Sequence, residues 1–359
     1  MTTVHQRIDA LLASRDLLEP WLGPLDADSL RALVEAQLGS LEALDAWISR
    51  GDTRTKAVPV SPLLHVISGN TPHSAFQSVV RGLLVGSYNR VKLPSAGIPE
   101  FEAWAALLPD SLSGLIEIRH NFPESWCDSA GAVVFGQAAT LETFRGMLPP
   151  GLPIIEHGPK LSIGAVFEPD DRAAELATRD ILAYEQRGCL SLQAIYVAGG
   201  PIVARAFSER LAAAMARHRS STPRPPLALS ESGAISNARE LIRFREANGD
   251  DVALWESSGD TAWTVVYQTD PTLAPGPLNG YVTVHPLPSG SRLRDSLGPE
   301  STYLSTVALH PFNDSMADRL EPLSAPRTCA LGNSQQPPLF WHHDGRMPLA
   351  DLVTWRDRS

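Results

Sequence analysis

The segment 63–93 alternates between short apolar runs and a helical pattern, and this alternation restricts the fold more than any other feature. An apolar run at 63–68 leads into a turn at 69–72, a helical stretch at about 74–85 and a second strand-like run at 89–93. Strand, helix and strand in this order form the building unit of a parallel sheet. The segment therefore predicts an α/β fold.

The alternation continues along the chain. Before residue 155, strands are expected at 115–118, 132–135 and 154–155, and helices at 100–108 and 140–147. After residue 190, strand-like runs recur at 194–197, 263–268, 280–285 and 306–310. Leucine and alanine at helical spacing before residue 48 predict a helical N-terminal segment, followed by a short linker near 51–58. A chain of 359 residues is long enough for two domains, each with its own core.

Composition excludes several classes of protein. With 43% hydrophobic and 19% charged residues, the chain is globular rather than disordered. A formal net charge of −10 argues against nucleic acid or an anionic membrane as the main partner. The first eleven residues lack an apolar signal core, and no run of about 18 apolar residues occurs. Three widely spaced cysteines fit neither a disulfide framework nor a metal knuckle, so we expect a soluble, cytoplasmic protein.

Cys189 is the candidate nucleophile. It follows Gly188, after a helix-like stretch at 172–186 and before the β-rich run 194–197, where the backbone turns and a thiol can be presented. The alternative interpretation is a small buried hydrophobe, since cysteine is among the most buried residue types.

Three polar residues follow predicted strands, where ligands gather in open α/β sheets. Glu156 directly follows the strand at 154–155, and the alternative interpretation is a solvated loop acid. Asn70 lies in the turn after the first strand, where its amide could donate to an oxyanion or simply cap the next helix. Lys92 ends the second strand, where its ammonium could meet a ribose or phosphate or extend to solvent as an edge lysine.

The order and spacing of these elements resemble the aldehyde dehydrogenase superfamily. The matching elements are Gly69-Asn70 with Pro72, Lys92 after the second strand, the turn Gly136-Gln137, Glu156 with Gly158 and Lys160, and Gly188-Cys189. His157 and Pro159 stand where that superfamily has a leucine and a second glycine.

Within that superfamily, three stretches look most like the acyl-CoA reductase (fatty acyl reductase) family of bacterial bioluminescence: 65–70, 188–191 and 340–345. The resemblance runs from about residue 60 to the end and implies a Rossmann-type cofactor domain plus an α/β catalytic domain. Four parts are then expected: a helical N-terminal segment packing on the cofactor domain (1–57), a nicotinamide cofactor-binding domain (58–155), a catalytic thiol domain (156–325) and a C-terminal segment (326–359).

The resemblance implies reduction of an acyl thioester to an aldehyde. Cys189 would carry the acyl group as a thioester, and Asn70 with the Cys189 amide would stabilise the oxyanion. Glu156 matches the residue that activates water in oxidative relatives; because a reductase must avoid hydrolysis, we assign it proton handling on the thiol or thiohemiacetal.

A nicotinamide cofactor is implied as well, although the glycine-rich dinucleotide fingerprint is absent. The residues assigned to it are Gly69, Lys92, Ser95, Gly136 and Gln137. NAD-selective relatives often carry a glutamate where this chain has Ser95, and no carboxylate before Glu100 would repel a 2′-phosphate. NADPH is therefore the preferred cofactor, and NADH is the other option.

Other functions stay open at this point. Cys189 could serve an acyltransferase or thioesterase without hydride transfer, or the chain could be a non-catalytic partner subunit. The substrate would be an acyl-CoA or acyl-carrier thioester, and both an acyl-transferring partner protein and a homo-oligomer are compatible with the resemblance. Asp344 with His342 and His343 resembles a metal-ligand set, but nothing in their neighbourhood supplies a further ligand. We therefore expect a structural turn there and no metal.

Overall fold

The computed structural model describes residues 2–288 and 290–359. The chain forms two compact units: the first comprises Met1–Pro159 and Gln336–Ser359, and the second comprises Lys160–Gln335. Compactness does not show what each part binds, so the four functional parts drawn from the sequence stay a prediction.

The first unit begins with helices α1 (Val4–Leu12), α2 (Arg15–Leu22) and α3 (Ala27–Leu38). Thr3 starts α1 with a capping box: its hydroxyl accepts from the Gln6 amide, and the Gln6 side chain accepts from the Thr3 amide. Leucines at helical spacing, such as Leu11 and Leu30, are buried in the core of this unit.

Strands β1 (Ile48–Arg50) and β2 (Thr53–Pro59) form a three-stranded antiparallel sheet with the last strand of the chain, β15 (Val353–Arg358). The linker expected near 51–58 is therefore wrong, because most of that segment is strand. Its pairing partner β15 lies at the far end of the sequence, where local composition could not indicate it.

The second sheet of this unit is parallel and has the order β5-β4-β3-β6-β7. Its strands are β3 (Leu63–Val66), β4 (Asn89–Lys92), β5 (Ile116–Arg119), β6 (Gly131–Phe135) and β7 (Ile154–His157). The connections contain α4 (His73–Val85), α5 (Pro99–Ala105), α6 (Asp110–Ser113) and α7 (Ala138–Met147).

The second unit is built on a seven-stranded sheet of order β10-β11-β12-β9-β8-β13-β14, parallel except at the β10 edge. Its strands are β8 (Leu161–Val166), β9 (Leu192–Val197), β10 (Val252–Glu256), β11 (Thr264–Gln268), β12 (Tyr281–Pro286), β13 (Leu304–His310) and β14 (Arg327–Ala330). Its helices are α8 (Asp171–Leu182), α9 (Pro201–Ser221), α10 (Leu229–Ala247), α11 (Gly290–Leu297) and α12 (Asp314–Asp318).

The central strands of this sheet are buried along nearly their whole length, as expected when both faces of a parallel sheet are covered. Both units thus mix helices with parallel strands, and the predicted α/β class is confirmed. Within the described part of the chain, no helix combines the length and apolar character needed to cross a bilayer.

Candidate active site

Two of the predicted site residues lie in one row across the five-stranded sheet. Lys92 is in register with Val66, Val66 with Val134, and Val134 with Glu156. Residues in register point to the same face, so the Lys92 and Glu156 side chains share a face at the carboxyl ends of their strands. Three strand spacings separate their backbones, a distance of about 14 Å.

The other residues assigned to the cofactor follow the same strand ends. Gly69 and Asn70 come after β3, Ser95 after β4, and Gly136 with Gln137 after β6. Gly69, Asn70, Ser95 and Gln137 are exposed. The fold therefore gathers these residues along one open edge of the sheet in the first unit.

The turn between β6 and α7 packs tightly against the first turn of the helix. A Cβ added at Gly136 would come within 2.7 Å of the Thr140 side chain, so only glycine fits this close approach. Gln137 is the N-cap of α7, and its side chain makes no capping hydrogen bond. Amide groups at a helix N-terminus bind phosphate well, and Lys92 supplies a positive charge on the same edge of the sheet. The residues present therefore fit a dinucleotide.

Glu156 is already engaged within the first unit. Arg145 on α7 donates from Nε and Nη2 to the two carboxylate oxygens of Glu156. The hydrogen bond to Glu156 raises the pKa of Arg145. Proton handling by Glu156 stays a prediction.

His157, the next residue on β7, belongs to a cluster that sequence reasoning missed. Its Nδ1 lies 2.7 Å from Oδ2 of Asp344. Its ring stacks on Phe135 at 4.5 Å and on His343 at 4.0 Å, and Trp341 stacks on His343 at 4.4 Å. The only sequence signal was that histidine stands where the superfamily has leucine.

This cluster corrects one step of the sequence argument. A further potential metal ligand near Asp344 does exist, because ligand atoms of His157, His343 and Asp344 all lie within 4.8 Å of one another, whereas His342 is exposed. The imidazole rings are stacked with 27° between their planes. Ring edges in a stack do not converge on one ion, so we still interpret the cluster as an anchor for the C-terminal segment.

The backbone before Cys189 adopts an uncommon conformation. Tyr184, Glu185 and Gln186 have φ values of 52°, 54° and 60° in the left-handed region. Helix α8 ends at Leu182, so the helix expected to run to residue 186 is shorter than predicted. Left-handed conformation costs energy in a residue other than glycine, and consecutive cases persist only when the surroundings hold them.

Gln186 supplies that hold. Its Nε2 donates to the carbonyls of Leu192 (2.7 Å) and Tyr281 (2.9 Å), and its Oε1 accepts from the amides of Gly280 (2.9 Å) and Tyr281 (3.1 Å). The side chain is 1% exposed, and every hydrogen-bonding position of its amide is used. Glu185 is held separately by both Nη atoms of Arg219, at 3.0 and 2.5 Å.

The Cys189 backbone is fixed while the residue itself is only half-buried. Its carbonyl accepts from Ser162 Oγ at 2.9 Å. The amide of Ser191 donates to the Gly188 carbonyl at 3.0 Å, and Gln335 Nε2 donates to Ser191 Oγ at 2.8 Å. A rigid turn with a partly exposed thiol disfavours the alternative of a fully buried hydrophobe and suits a nucleophile.

Sequence reasoning also missed Arg327, a buried cation near this turn. It starts β14, is 8% exposed and donates to the carbonyls of Ser334 (2.5 Å) and Asn333 (2.9 Å). Burial lowers the pKa of Arg327, and Cys329, Asp180 and Cys189 oppose that shift when they are ionised. The guanidinium therefore lies within electrostatic reach of the Cys189 thiol. An arginine starting a distant strand carries no local signal of such a neighbour.

Comparison with known proteins decides the family. Residues 12–355 match the family model described as "Acyl-CoA reductase (LuxC)". The chain belongs to this family. The recognition made from the sequence motifs is therefore confirmed, and the protein is an oxidoreductase of the acyl-CoA reductase class.

Relatives with curated names agree. The long-chain acyl-protein thioester reductase of Photobacterium phosphoreum is 26% identical over 344 residues, covering 91% of this chain and 68% of the relative. That of Aliivibrio fischeri is 24% identical over 359 residues, covering 93% of this chain and 71% of the relative. The match thus spans only part of the length of these two relatives.

Solved structures show the fold. An aldehyde dehydrogenase from Bacillus cereus, described as an NAD+ complex, has a TM-score of 0.73 at 14% identity, covering 99% of this chain and 84% of that one. An NAD-dependent benzaldehyde dehydrogenase from Corynebacterium glutamicum has a TM-score of 0.67 at 13% identity, with coverages of 99% and 86%. The predicted aldehyde dehydrogenase-like fold of this acyl-CoA reductase is confirmed.

Proposed function

We propose that this protein reduces an acyl thioester to an aldehyde with NADPH, through a thioester intermediate on Cys189. The observation that carries the proposal is the half-buried thiol on a turn held by Gln186, in a chain of the acyl-CoA reductase family. The acyl carrier is coenzyme A or a protein, and the relatives' name, acyl-protein thioester reductase, favours a protein-bound acyl group.

Cys189 splits the reaction into two steps. Its Sγ forms a bond to the thioester carbonyl carbon, and the carrier thiolate leaves as its carbon–sulfur bond breaks. A nicotinamide cofactor, when bound, would supply the hydride that reduces the resulting thioester. Cys189 then leaves as a thiolate when the aldehyde forms. Asn70 and the Cys189 amide are assigned to the oxyanion on the resemblance alone.

The cofactor assignment rests on the open edge of the five-stranded sheet. The N-terminus of α7 at Gly136 and Gln137 would hold the pyrophosphate, with Gly69 bordering it, and Lys92 and Ser95 would face the adenine ribose. Lys92 is in register with Arg119 on β5, but Arg119 is already paired with Glu117, to which its Nε and Nη2 donate at 3.1 and 2.9 Å. The Lys92 cation and the absence of a glutamate at position 95 favour NADPH over NADH.

Glu156 helps to separate this reaction from hydrolysis. A thioesterase needs a base that activates water, whereas both Glu156 oxygens are bound by Arg145. This pairing favours reduction of the acyl-enzyme by hydride over its hydrolysis by water. The same proposal places the protein in the cytoplasm. It includes an acyl-transferring partner protein and assembly of this chain as a homo-oligomer.

The deciding experiment follows NADPH absorbance with a panel of acyl-CoA and acyl-carrier thioesters and identifies the aldehyde. Cys189→Ala is expected to abolish turnover, whereas Cys127→Ala, at a half-buried cysteine of the first unit, serves as the matched control. Cleavage of thioester without oxidation of NADPH or NADH would overturn the proposal in favour of an acyltransferase or thioesterase.

A further inference from the structure

We propose that Arg327 is the positive group that keeps Cys189 in its reactive thiolate form. This inference rests on the proposed function, in which Cys189 is the nucleophile. A thiol in water has a pKa of about 8.5, so a thiolate at neutral pH needs a neighbour that stabilises negative charge. Arg327 acts through the thiol and is not itself a catalytic residue.

The sheet places Arg327 beside the Cys189 turn. Arg327 on β14 is in register with Thr306 on β13, and Thr306 is in register with Ser162 on β8. These three residues form one row, and Ser162 Oγ donates to the Cys189 carbonyl at 2.9 Å. Residues in register point to the same face of the sheet, so the Arg327 side chain lies on the face where Ser162 contacts the Cys189 turn. Two strand spacings, about 10 Å, separate the backbones of Ser162 and Arg327.

A second set of contacts leads to the same turn. The two Nη atoms of Arg327 bind the carbonyls of Ser334 and Asn333. The next residue, Gln335, donates from Nε2 to Ser191 Oγ at 2.8 Å. The guanidinium is therefore held against the loop that contacts the residue two positions after Cys189. Both sets of contacts keep the charge in a fixed position, which an electrostatic role requires.

Burial determines which of the two thiols, Cys189 or Cys329, can ionise near neutral pH. Cys329, on the same strand, is buried, and burial raises its pKa to about 11 despite Arg327. It therefore stays neutral at pH 7. Cys189 is half-buried, so ionisation of its thiol carries a smaller desolvation cost. The thiol that responds to Arg327 near neutral pH is thus Cys189.

Asp180 on α8 limits the effect. Burial raises its pKa to about 6, although it accepts from the amides of Gly332 (2.6 Å) and Ser334 (3.0 Å). Arg179, also on α8, donates to Asn333 Oδ1 at 3.1 Å. Above pH 6 the ionised Asp180 offsets part of the Arg327 charge, and below pH 6 that offset disappears. In the activating step itself, the Sγ–H bond of Cys189 breaks, the proton passes to solvent and the electron pair stays on sulfur.

The test measures alkylation of Cys189 by iodoacetamide between pH 5 and 10, quantified by mass spectrometry of the Cys189 peptide. The wild type is expected to show a midpoint below 8.5. Arg327→Gln should raise that midpoint by about one unit and slow alkylation at pH 7 about tenfold. Arg327→Lys should stay near the wild type because it keeps the charge.

Arg187→Gln is the matched control, because Arg187 lies two residues before Cys189 but is exposed and paired with Glu231 at 2.9 Å. An unchanged midpoint in a folded Arg327→Gln protein, or an equal shift in the control, would overturn the inference. A lysine variant that behaves like the glutamine variant would also overturn it. A wild-type alkylation midpoint at or above pH 8.5 would overturn the inference without any variant. Alkylation needs neither cofactor nor turnover. Absence of the proposed reductase activity would therefore be detected separately, in the NADPH assay.

Discussion

The Cys189 turn and the open edge of the five-stranded sheet are built in opposite ways. The turn is held by a buried glutamine, a buried arginine and interlocking loops, with three residues in left-handed conformation. The edge presents exposed side chains at strand ends, including Asn70, Ser95 and Gln137. A nucleophile gains rate from a fixed position, whereas a surface that binds and releases a cofactor must remain open. We infer that preorganisation in this protein is concentrated at the thiol.

The strongest test of this contrast is Gln186→Ala. It removes four hydrogen bonds and leaves the buried groups of Leu192, Gly280 and Tyr281 without their partner. We expect a loss on the order of 4 kcal/mol in the free energy of unfolding, measured by urea denaturation, and a large fall in kcat. Gln193→Ala, at a half-buried position of β9, should change both quantities little. Similar unfolding free energies and kcat values for the two variants would contradict the contrast between the rigid Cys189 turn and the open edge of the sheet.

Acid should affect both units in the same way. Burial lowers the pKa of His65 in the first unit and of His285 in the second to about 4. Because the folded pKa lies below the unfolded value, each contribution is complete above about pH 6.5 and is lost as pH falls toward 4. Each histidine then costs about 3 kcal/mol of stability at pH 4.

Urea denaturation at pH 7.0, 5.5 and 4.5 measures this loss. His65→Gln and His285→Gln should each flatten the pH dependence while lowering stability at pH 7, since both histidines are buried and hydrogen-bonded. A wild-type stability that is constant from pH 7.0 to 4.5 would contradict the assignment.

Gly136→Ala addresses the open edge. The new Cβ would lie 2.7 Å from the Thr140 side chain, which forces the turn away from the N-terminus of α7. NADPH affinity, measured by fluorescence titration, should fall about tenfold, equivalent to about 1.4 kcal/mol. Gly146→Ala, on the same helix with open space around its Cβ, is the control. Equal affinities in the two variants would place the cofactor elsewhere.

The smallest effect is expected for Arg145→Gln. The change frees the Glu156 carboxylate, so proton handling should shift while the fold is retained, because Arg145 is more than half exposed. Turnover should change by less than about threefold, with a clearer change in the pH profile of kcat, since exposed pairs contribute up to about 1 kcal/mol. A rise in thioester hydrolysis would sharpen the comparison, because it would show that Arg145 restrains Glu156.

The α/β class and the strand ends of the site followed from the sequence because they depend on local patterns. Short apolar runs next to glycine turns predicted β3, β4 and β6, and the polar residues after them lie at one sheet edge as expected. The helix before Cys189 was predicted too long, because helical propensity continues past Leu182 while Gln186 imposes a different backbone. The strand β2 was taken for a linker, because its partner β15 is remote.

The sequence by itself determined the family, the α/β fold and the nucleophile candidate, because each depends on the types and spacing of residues that are close in the sequence. Only the tertiary structure decided the partners of those residues. Arg145 binds Glu156, Asp344 binds His157, and Arg327 interacts electrostatically with Cys189, although the members of each pair are separated along the chain. The physical reason is that charge and hydrogen bonding act over a few ångströms in space, whatever the separation along the chain.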